Sequence, residues 1–192
     1  MQRTISAMVG KGSVNHNSRK FRAENVDGTR THLNIDYCNE NIKTVYHELF
    51  DEALERYNAK QIRSDRKIKD YYEKIRSSKQ EKPFHEIILQ VGGKGNMNAD
   101  TENGELAKQI LDEYYQGFQE RNPQLRVFSA HLHMDEATPH LHIDFVPYVT
   151  GWKGKGMDTR VSLKQALKSL GFQVGNKHDT ELNQWINHEK EL

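Results

Sequence analysis

The sequence has one cysteine, Cys38, among 192 residues, so no intrachain disulfide framework is possible and nothing argues for secretion. No apolar run approaches the length of a membrane span, and the apolar stretch within residues 1–10 is too short for a signal peptide. There is no internal repeat and no low-complexity segment, which excludes solenoid and linker-like chains. Net charge is also scarce, at +1 with histidine neutral. What is present is a polar but globular balance, 35% hydrophobic and 29% charged, in a length that suits one domain with a real core. These features predict a soluble cytoplasmic protein, residues 1–192 forming a single domain.

The small net charge conceals segregation. Residues 59–82 hold nine Lys/Arg against four Asp/Glu, and residues 153–178 hold six against one. Residues 98–120 run the other way, with one Lys against six acids. Such a division can make a basic face that attracts phosphates and an acidic face that repels them. Taken alone, charge blocks are more simply the solvated faces of helices.

The hydrophobic pattern predicts a short first strand over Arg3–Val9 and then a long polar functional loop, Gly10–Arg30. Leu33–Tyr37 alternates like a strand. A helix is predicted from Thr44, which serves as its cap, and a very basic one over Ser64–Arg76. Pro83 breaks the pattern before an apolar strand, Phe84–Val91. Asn103–Arg121 has the clearest helical spacing, through Leu106, Ile110, Leu111, Tyr114 and Phe118. Arg126–Met134 and His140–Val149 read as antiparallel neighbours joined by a short acidic connection. A Gly/Lys loop, Gly151–Gly156, precedes a short helix over Ser162–Leu170 closed by Gly171, and a last helix starts near Thr180. Strands and helices do not alternate regularly, so the expected class is α+β, an antiparallel sheet with helices packed on it.

The most informative stretch is His131–Phe145. Side chains two apart on a strand share a face. His131 and His133 therefore lie on one face with Leu132 and Met134 opposite. His140, His142 and Asp144 likewise share a face opposite Leu141, Ile143 and Phe145. Neutral imidazole is a common ligand for divalent metals. Three imidazoles from paired strands can occupy one side of a metal and leave the other open to a substrate oxygen, as Lewis-acid catalysis on a phosphodiester requires. A lone histidine here would be read as an exposed sheet residue. Four of the chain's ten histidines within twelve residues, in phase on two strands, point instead to a metal site. In the connection, Glu136 is assigned to chemistry, as a general base or a further ligand, and Asp135 to the turn.

The pattern His133-x-Asp135-Glu136-x-x-Pro139-His140-x-His142 resembles the third motif of the MobV (Mob/Pre) plasmid-mobilisation relaxases, which belong to the HUH endonucleases, named for a His-hydrophobic-His pair. His16-Asn17-Ser18-Arg19 resembles that family's first motif, and Asp27-Gly28-Thr29-Arg30-Thr31-His32-Leu33-Asn34 its second. All three occur in the expected order.

The resemblance implies a fold with about five antiparallel strands and the metal on the central ones. It implies a domain that nicks one strand at a plasmid's origin of transfer and keeps a covalent 5′-phosphate link, in the bacterial cytoplasm. By position, His133, His140 and His142 match the ligands of a divalent ion, Mn2+ or Mg2+. His16 matches the nucleophile, Glu136 the acid that orients or deprotonates it, and Arg19 a basic residue near the scissile phosphate. His131 lies outside the motif, behind the ligands or in contact with DNA. The expected partner is origin DNA, a single strand plus adjoining duplex or hairpin. Asn17, Lys11, Lys20, Arg22 and Arg30 flank the nucleophile as DNA contacts, and Lys153, Lys155 and Arg160 follow beside Trp152, which either stacks on a base or anchors its loop. Family members continue beyond such a domain, so the expectation is truncation before a C-terminal region through which a homodimer forms. The second motif has Asp27-Gly28 and ends Leu33-Asn34-Ile35-Asp36-Tyr37 where its relatives more often carry a Pro and an Asn-Tyr pair, which leaves Tyr37 as a rival nucleophile; the pair Tyr71-Tyr72 resembles double-tyrosine relatives but falls on a predicted helix. Competing readings are a replication initiator or transposase with a tyrosine nucleophile, a zinc hydrolase of small substrates, and a non-catalytic DNA-binding module.

Overall fold

The computed structural model describes residues 5–93, 95–176 and 178–192. Arg3 and Thr4, part of the predicted first strand, lie outside the described residues. The strands are β1 (Ile5–Val9), β2 (Ile35–Asn39), β3 (His85–Val91), β4 (Leu125–His133), β5 (His140–Val149) and β6 (Arg160–Val161). The helices are α1 (Val14–Asn17), α2 (Ile42–Ala59), α3 (Tyr71–Arg76), α4 (Glu102–Gln116), α5 (Phe118–Arg121), α6 (Leu163–Ser169) and α7 (Glu181–Glu191).

Five strands form one sheet in the order β1-β3-β5-β4-β2, and the short β6 pairs with the end of β5. All the pairings are antiparallel. The expected α+β class and five-stranded core are therefore present, with β6 as an addition. β5 is central, and its neighbours bring His131 opposite His142, His133 opposite His140, and Glu86 opposite Asp144.

Alternation sorts the two faces. Ile87, Leu89, Ala130, Leu132, Leu141, Ile143 and Phe145 are buried in one apolar cluster with Ala107, Leu111 and Tyr114 of α4 and Trp185 of α7. Burying such side chains stabilises by roughly 1.5–3 kcal/mol each before conformational entropy is counted. The other face carries the histidines. One end of it is covered by a second cluster, in which Phe128 and Val146 meet Val45, Tyr46 and Phe50 of α2 and Tyr71 and Ile75 of α3. A register shift between Val127 and Ser129 makes this possible. The extra residue of the bulge lets Val127 and Ala130 keep to the first cluster while Phe128 joins the second.

Several predicted elements shift. α2 is capped by Asn41, whose side chain accepts from the Lys43 N–H, and not by Thr44. The basic helix over Ser64–Arg76 reduces to one 3-10 turn, Ser64–Arg66, and the short α3 capped by Asp70. The reason lies in Asn58, whose amide binds both the N–H and the C=O of Ile68, at 2.9 and 2.8 Å. Ile68 is thereby buried and its backbone taken out of any helix. The predicted helix Asn103–Arg121 is α4 and α5 with Gly117 between them, and the loop Gly10–Arg30 contains α1. Among the described residues, no helix is long and apolar enough to cross a membrane.

Candidate active site

His133, His140 and His142 meet on the face that α2 and α3 leave uncovered. Each spends one ring nitrogen on a protein acceptor. His133 Nε2–H donates to the Asn17 carbonyl (2.8 Å), His140 Nδ1–H to the Thr138 carbonyl (2.9 Å) and His142 Nδ1–H to Glu86 Oε1 (2.6 Å). These bonds fix the tautomers and leave His133 Nδ1, His140 Nε2 and His142 Nε2 with lone pairs. The first two are 3.4 Å apart, and one ligand atom from each of the three residues lies within 4.8 Å of the others. His142 Nε2 is buried with no protein partner. Burial, and then the neighbouring His142 and His140, push the His133 pKa down to about 2. Burial and His142 lower that of His140 as well. Neutral lone pairs converging on one point repel each other unless a cation lies between them, and the 3.4 Å between His133 Nδ1 and His140 Nε2 suits two nitrogens each about 2.1 Å from one ion. A second group, His133, Asp135 and Glu136, is also close enough to hold an ion. It is the weaker candidate, because Asp135 is already saturated by other donors.

Glu86 was not anticipated from the sequence, and it holds the site together. Besides His142 it accepts from Asn17 Nδ2 (2.7 Å) through Oε1 and from the Gly12 N–H (2.7 Å) through Oε2. Burial opposes its ionisation, but the bonds from His142 and Gly12 outweigh this and its pKa falls. A Cβ at Gly10 would lie 1.9 Å from Glu86 Oε2, so the chain must be glycine where it passes the carboxylate. Asn17 also donates to Asp144 Oδ2 (3.0 Å). Burial, and then Glu86, push the Asp144 pKa up to about 7. Asn17 is 1% exposed, so the expectation of a DNA contact is corrected: its amide ties α1 to the sheet. The signal available in the sequence was a carboxylate inside the apolar run Phe84–Val91.

With Asn17 pinned, His16 stands over the cluster. Its ring centroid is 6.1 Å from that of His133 and 6.2 Å from that of His142. Its Nε2 lies 3.5 Å from Glu136 Oε1 and 3.4 Å from Arg19 Nη1. Burial and then Arg19 lower its pKa, which favours the neutral ring. Glu136 Oε1 is also 3.6 Å from His140 Nε2, so it faces both the candidate nucleophile and the candidate ligands.

Arg19 and Asp135 depart from their expected places. Asp135 is fully buried and is not a simple turn residue. It accepts from Arg19 Nε (3.0 Å) and Nη2, Thr31 Oγ1 (3.0 Å) and Asn34 Nδ2 (2.8 Å). Arg19, at φ 56°, turns its guanidinium inward to Asp135 and to Glu136 Oε1 (3.0 Å). Its charge is therefore spent on carboxylates rather than directed at a phosphate.

His131 stands apart from the cluster's ligand atoms. Its Nδ1 binds Asp36 (2.6 Å) and its Nε2 meets Ser129 Oγ (3.1 Å). This chain has the connectivity of a serine triad, but Ser129 and His131 are at most 1% exposed, so no substrate reaches the hydroxyl. Tyr37 donates to Asp112 (2.6 Å) and stacks on Tyr115 at 3.9 Å, on the face opposite the histidines, which removes it as a nucleophile there. Tyr71 is buried, its hydroxyl accepting from the Val161 N–H. Lys11, Lys20, Arg22, Lys153 and Lys155 are exposed, and Arg30 is half-buried with an unpartnered Nη2. Arg160 covers the Trp152 ring at 5.3 Å, and a Cβ at Gly154 would touch the same ring, so Trp152 anchors its loop.

An antiparallel sheet whose central strands present a largely buried cluster of three histidines under a docked loop defines a class of α+β domain with a candidate metal centre. Residues 12–188 match the Mob_Pre family, described as plasmid recombination enzyme, and the chain belongs to that family. It is 28% identical over 168 residues to the plasmid recombination enzyme type 3 of Staphylococcus aureus and equally to that of Mammaliicoccus lentus, covering 85% of this chain. The chain spans about a third (32%) of the length of these curated relatives. It is also similar to the MobM relaxase domain (MOBV; Mob_Pre), solved Mn-bound with plasmid pMV158 oriT DNA, at 20% identity and a TM-score of 0.49, covering 96% of this chain and 86% of that one. A further structure of that domain with a 23-nucleotide DNA matches at 17% identity and a TM-score of 0.43, over 95% and 98% of the two chains.

Proposed function

We propose that this domain is a relaxase that nicks one strand at a plasmid's origin of transfer, in the bacterial cytoplasm, and holds the 5′ end on His16. One observation carries the reading: three imidazole lone pairs converge beside a fourth imidazole, His16, that lies against Glu136. A small-substrate hydrolase would need no protein nucleophile above its ligands.

His133 Nδ1, His140 Nε2 and His142 Nε2 would hold the divalent ion, and imidazole donors favour Mn2+ over the harder Mg2+. The bound ion supplies Lewis-acid charge to the non-bridging oxygens of the scissile phosphate. Glu136 faces His16 Nε2–H and fixes its tautomer, so Nδ1 carries the lone pair that attacks phosphorus, and the Nε2 proton passes to Glu136 as the ring becomes charged. The N–P bond forms as the P–O3′ bond breaks, and the departing 3′ oxygen is protonated from water. The phosphoramidate retains the energy of the diester, so the 3′ hydroxyl can attack it in reverse and rejoin the strand. Arg19 acts as a positioning residue whose guanidinium, 3.0 Å from Glu136 Oε1, holds that carboxylate toward His16. Lys11, Lys20, Arg22, Arg30, Lys153 and Lys155 grip the backbone, and their contribution falls steeply with salt.

The test is incubation of supercoiled and single-stranded origin DNA with Mn2+, followed by mass spectrometry of the protein. A nucleotide-linked peptide containing His16 is expected, together with loss of nicking on chelation. A linked tyrosine peptide would overturn the assignment.

Glu86 provides a further check on the metal centre. Glu86→Ala removes the acceptor that orients His142, and its Mn2+ affinity by calorimetry is expected to fall roughly 10–100-fold. Unchanged affinity in a folded variant would remove Glu86 from the site.

A further inference from the structure

Beside α1 lies a cavity of about 580 Å³. Its walls include Ser13, Val14 and Asn15, and the next residue, His16, belongs to the candidate active site. The same short helix, α1, thus contributes to both. We propose that this cavity is a nucleobase pocket, taking one base of the bound strand beside the scissile phosphate. The proposal rests on the strand-nicking reading.

The chemistry of the walls favours a base over other occupants. Tyr72 and Phe84, both half-buried, supply aromatic surface, with the buried Phe128 packed against Phe84. Phe84 and Phe128 meet edge to face at 5.2 Å, and Tyr72 is braced edge-on by Tyr46 at 5.1 Å, so these rings are held rather than free to collapse into the space. Asn15, Asn39 and Lys20, all exposed, add amides and an ammonium group to the lining. A purely apolar ligand would have no use for these groups. A base offers two π faces for the rings, an edge of donors and acceptors for the amides, and a phosphate for Lys20. The one acid in the lining, Glu40, is neutralised by Arg126, which binds both its oxygens at 2.9 Å, so it does not repel the backbone. Phe21, next to Lys20 and bonded through its N–H to the Asn15 carbonyl, is 61% exposed and available as a second stacking surface.

The experiment uses the strand on which the protein's nick has been mapped, with single abasic positions introduced through its flanks and binding measured under chelation. At one position beside the nick, loss of the base is expected to weaken wild-type binding about tenfold, within the range for one stacked base. Tyr72→Ala is expected to weaken the intact strand by a similar factor and to show no further loss at that position. Tyr72→Phe keeps the ring and should behave as wild type, and Asn39→Ala, on the exposed edge strand, provides a second variant whose fold is not at risk. Equal abasic losses in wild type and Tyr72→Ala at every position would overturn the proposal. If no DNA is nicked, the strand-nicking reading fails separately. The pocket is then judged by photocrosslinking a short single strand containing 5-iododeoxyuridine: crosslinks at Tyr72 or Phe84 support it, and crosslinks confined to other residues reject it.

Discussion

His16→Ala protein is expected to bind origin DNA within about threefold of wild type and to form no covalent adduct. Removing a nucleophile that acts in concert with its neighbours costs about 10⁴-fold or more in rate, so nicking should fall below detection. The side chain is only partly exposed and contacts Glu136 and Arg19 at 3.4–3.5 Å, so its loss leaves the metal ligands and their acceptors in place. Mn2+ binding should persist, which separates loss of the nucleophile from collapse of the centre. A gel assay for supercoil relaxation, paired with denaturing electrophoresis of protein–DNA adducts, reads both quantities. An adduct formed by the alanine variant would move the nucleophile elsewhere.

Asp135→Ala is expected to be the most destabilising change near the site, by about 3–5 kcal/mol, because it leaves the Arg19 guanidinium buried without its principal partner. The carboxylate is fully buried and gathers Arg19, Thr31 and Asn34, and its backbone carbonyl accepts from the Asp27 N–H at 2.8 Å. The loop that carries His16 therefore depends on it. Denaturant unfolding gives the loss directly. The pH dependence is a second measure. Burial alone would raise the Asp135 pKa, but the bonds from Arg19 and Asn34 outweigh it and hold the group at about 2. Because this lies below its unfolded value of about 4, the stability it contributes is complete above pH 4 and fades as pH falls toward 2. Asp135→Asn should show a shallower loss over that window. Parallel acid limbs for the two proteins would show that Asp135 has no such role.

How much of this could be read in advance differs from residue to residue. The paired histidines were legible because alternation on a strand is a local property, and Leu132, Leu141 and Ile143 mark the opposite face without any knowledge of the fold. Their choice as ligands over His131 came only with the family motif, since His131 has the same phase as His133. What separates them is a contact from β2, the Asp36 carboxylate at 2.6 Å, which turns the His131 ring away. Glu86 was missed for a related reason. Its meaning depends on lying opposite Asp144 on the central strand and beneath Gly12, both long-range in sequence. The basic helix failed because Asn58 claims the Ile68 backbone, a choice that helical propensity does not register.

The sequence by itself determined the α+β class, the two faces of β4 and β5, and the residues able to bind a metal, because periodicity and side-chain chemistry act over a few neighbouring positions. Only the tertiary structure decided which ring nitrogens are free, that Arg19 is turned inward to Asp135, and that a cavity lies beside α1. Those depend on register and on which acceptor each donor reaches, and both are set by residues far apart along the chain and adjacent only once it has folded.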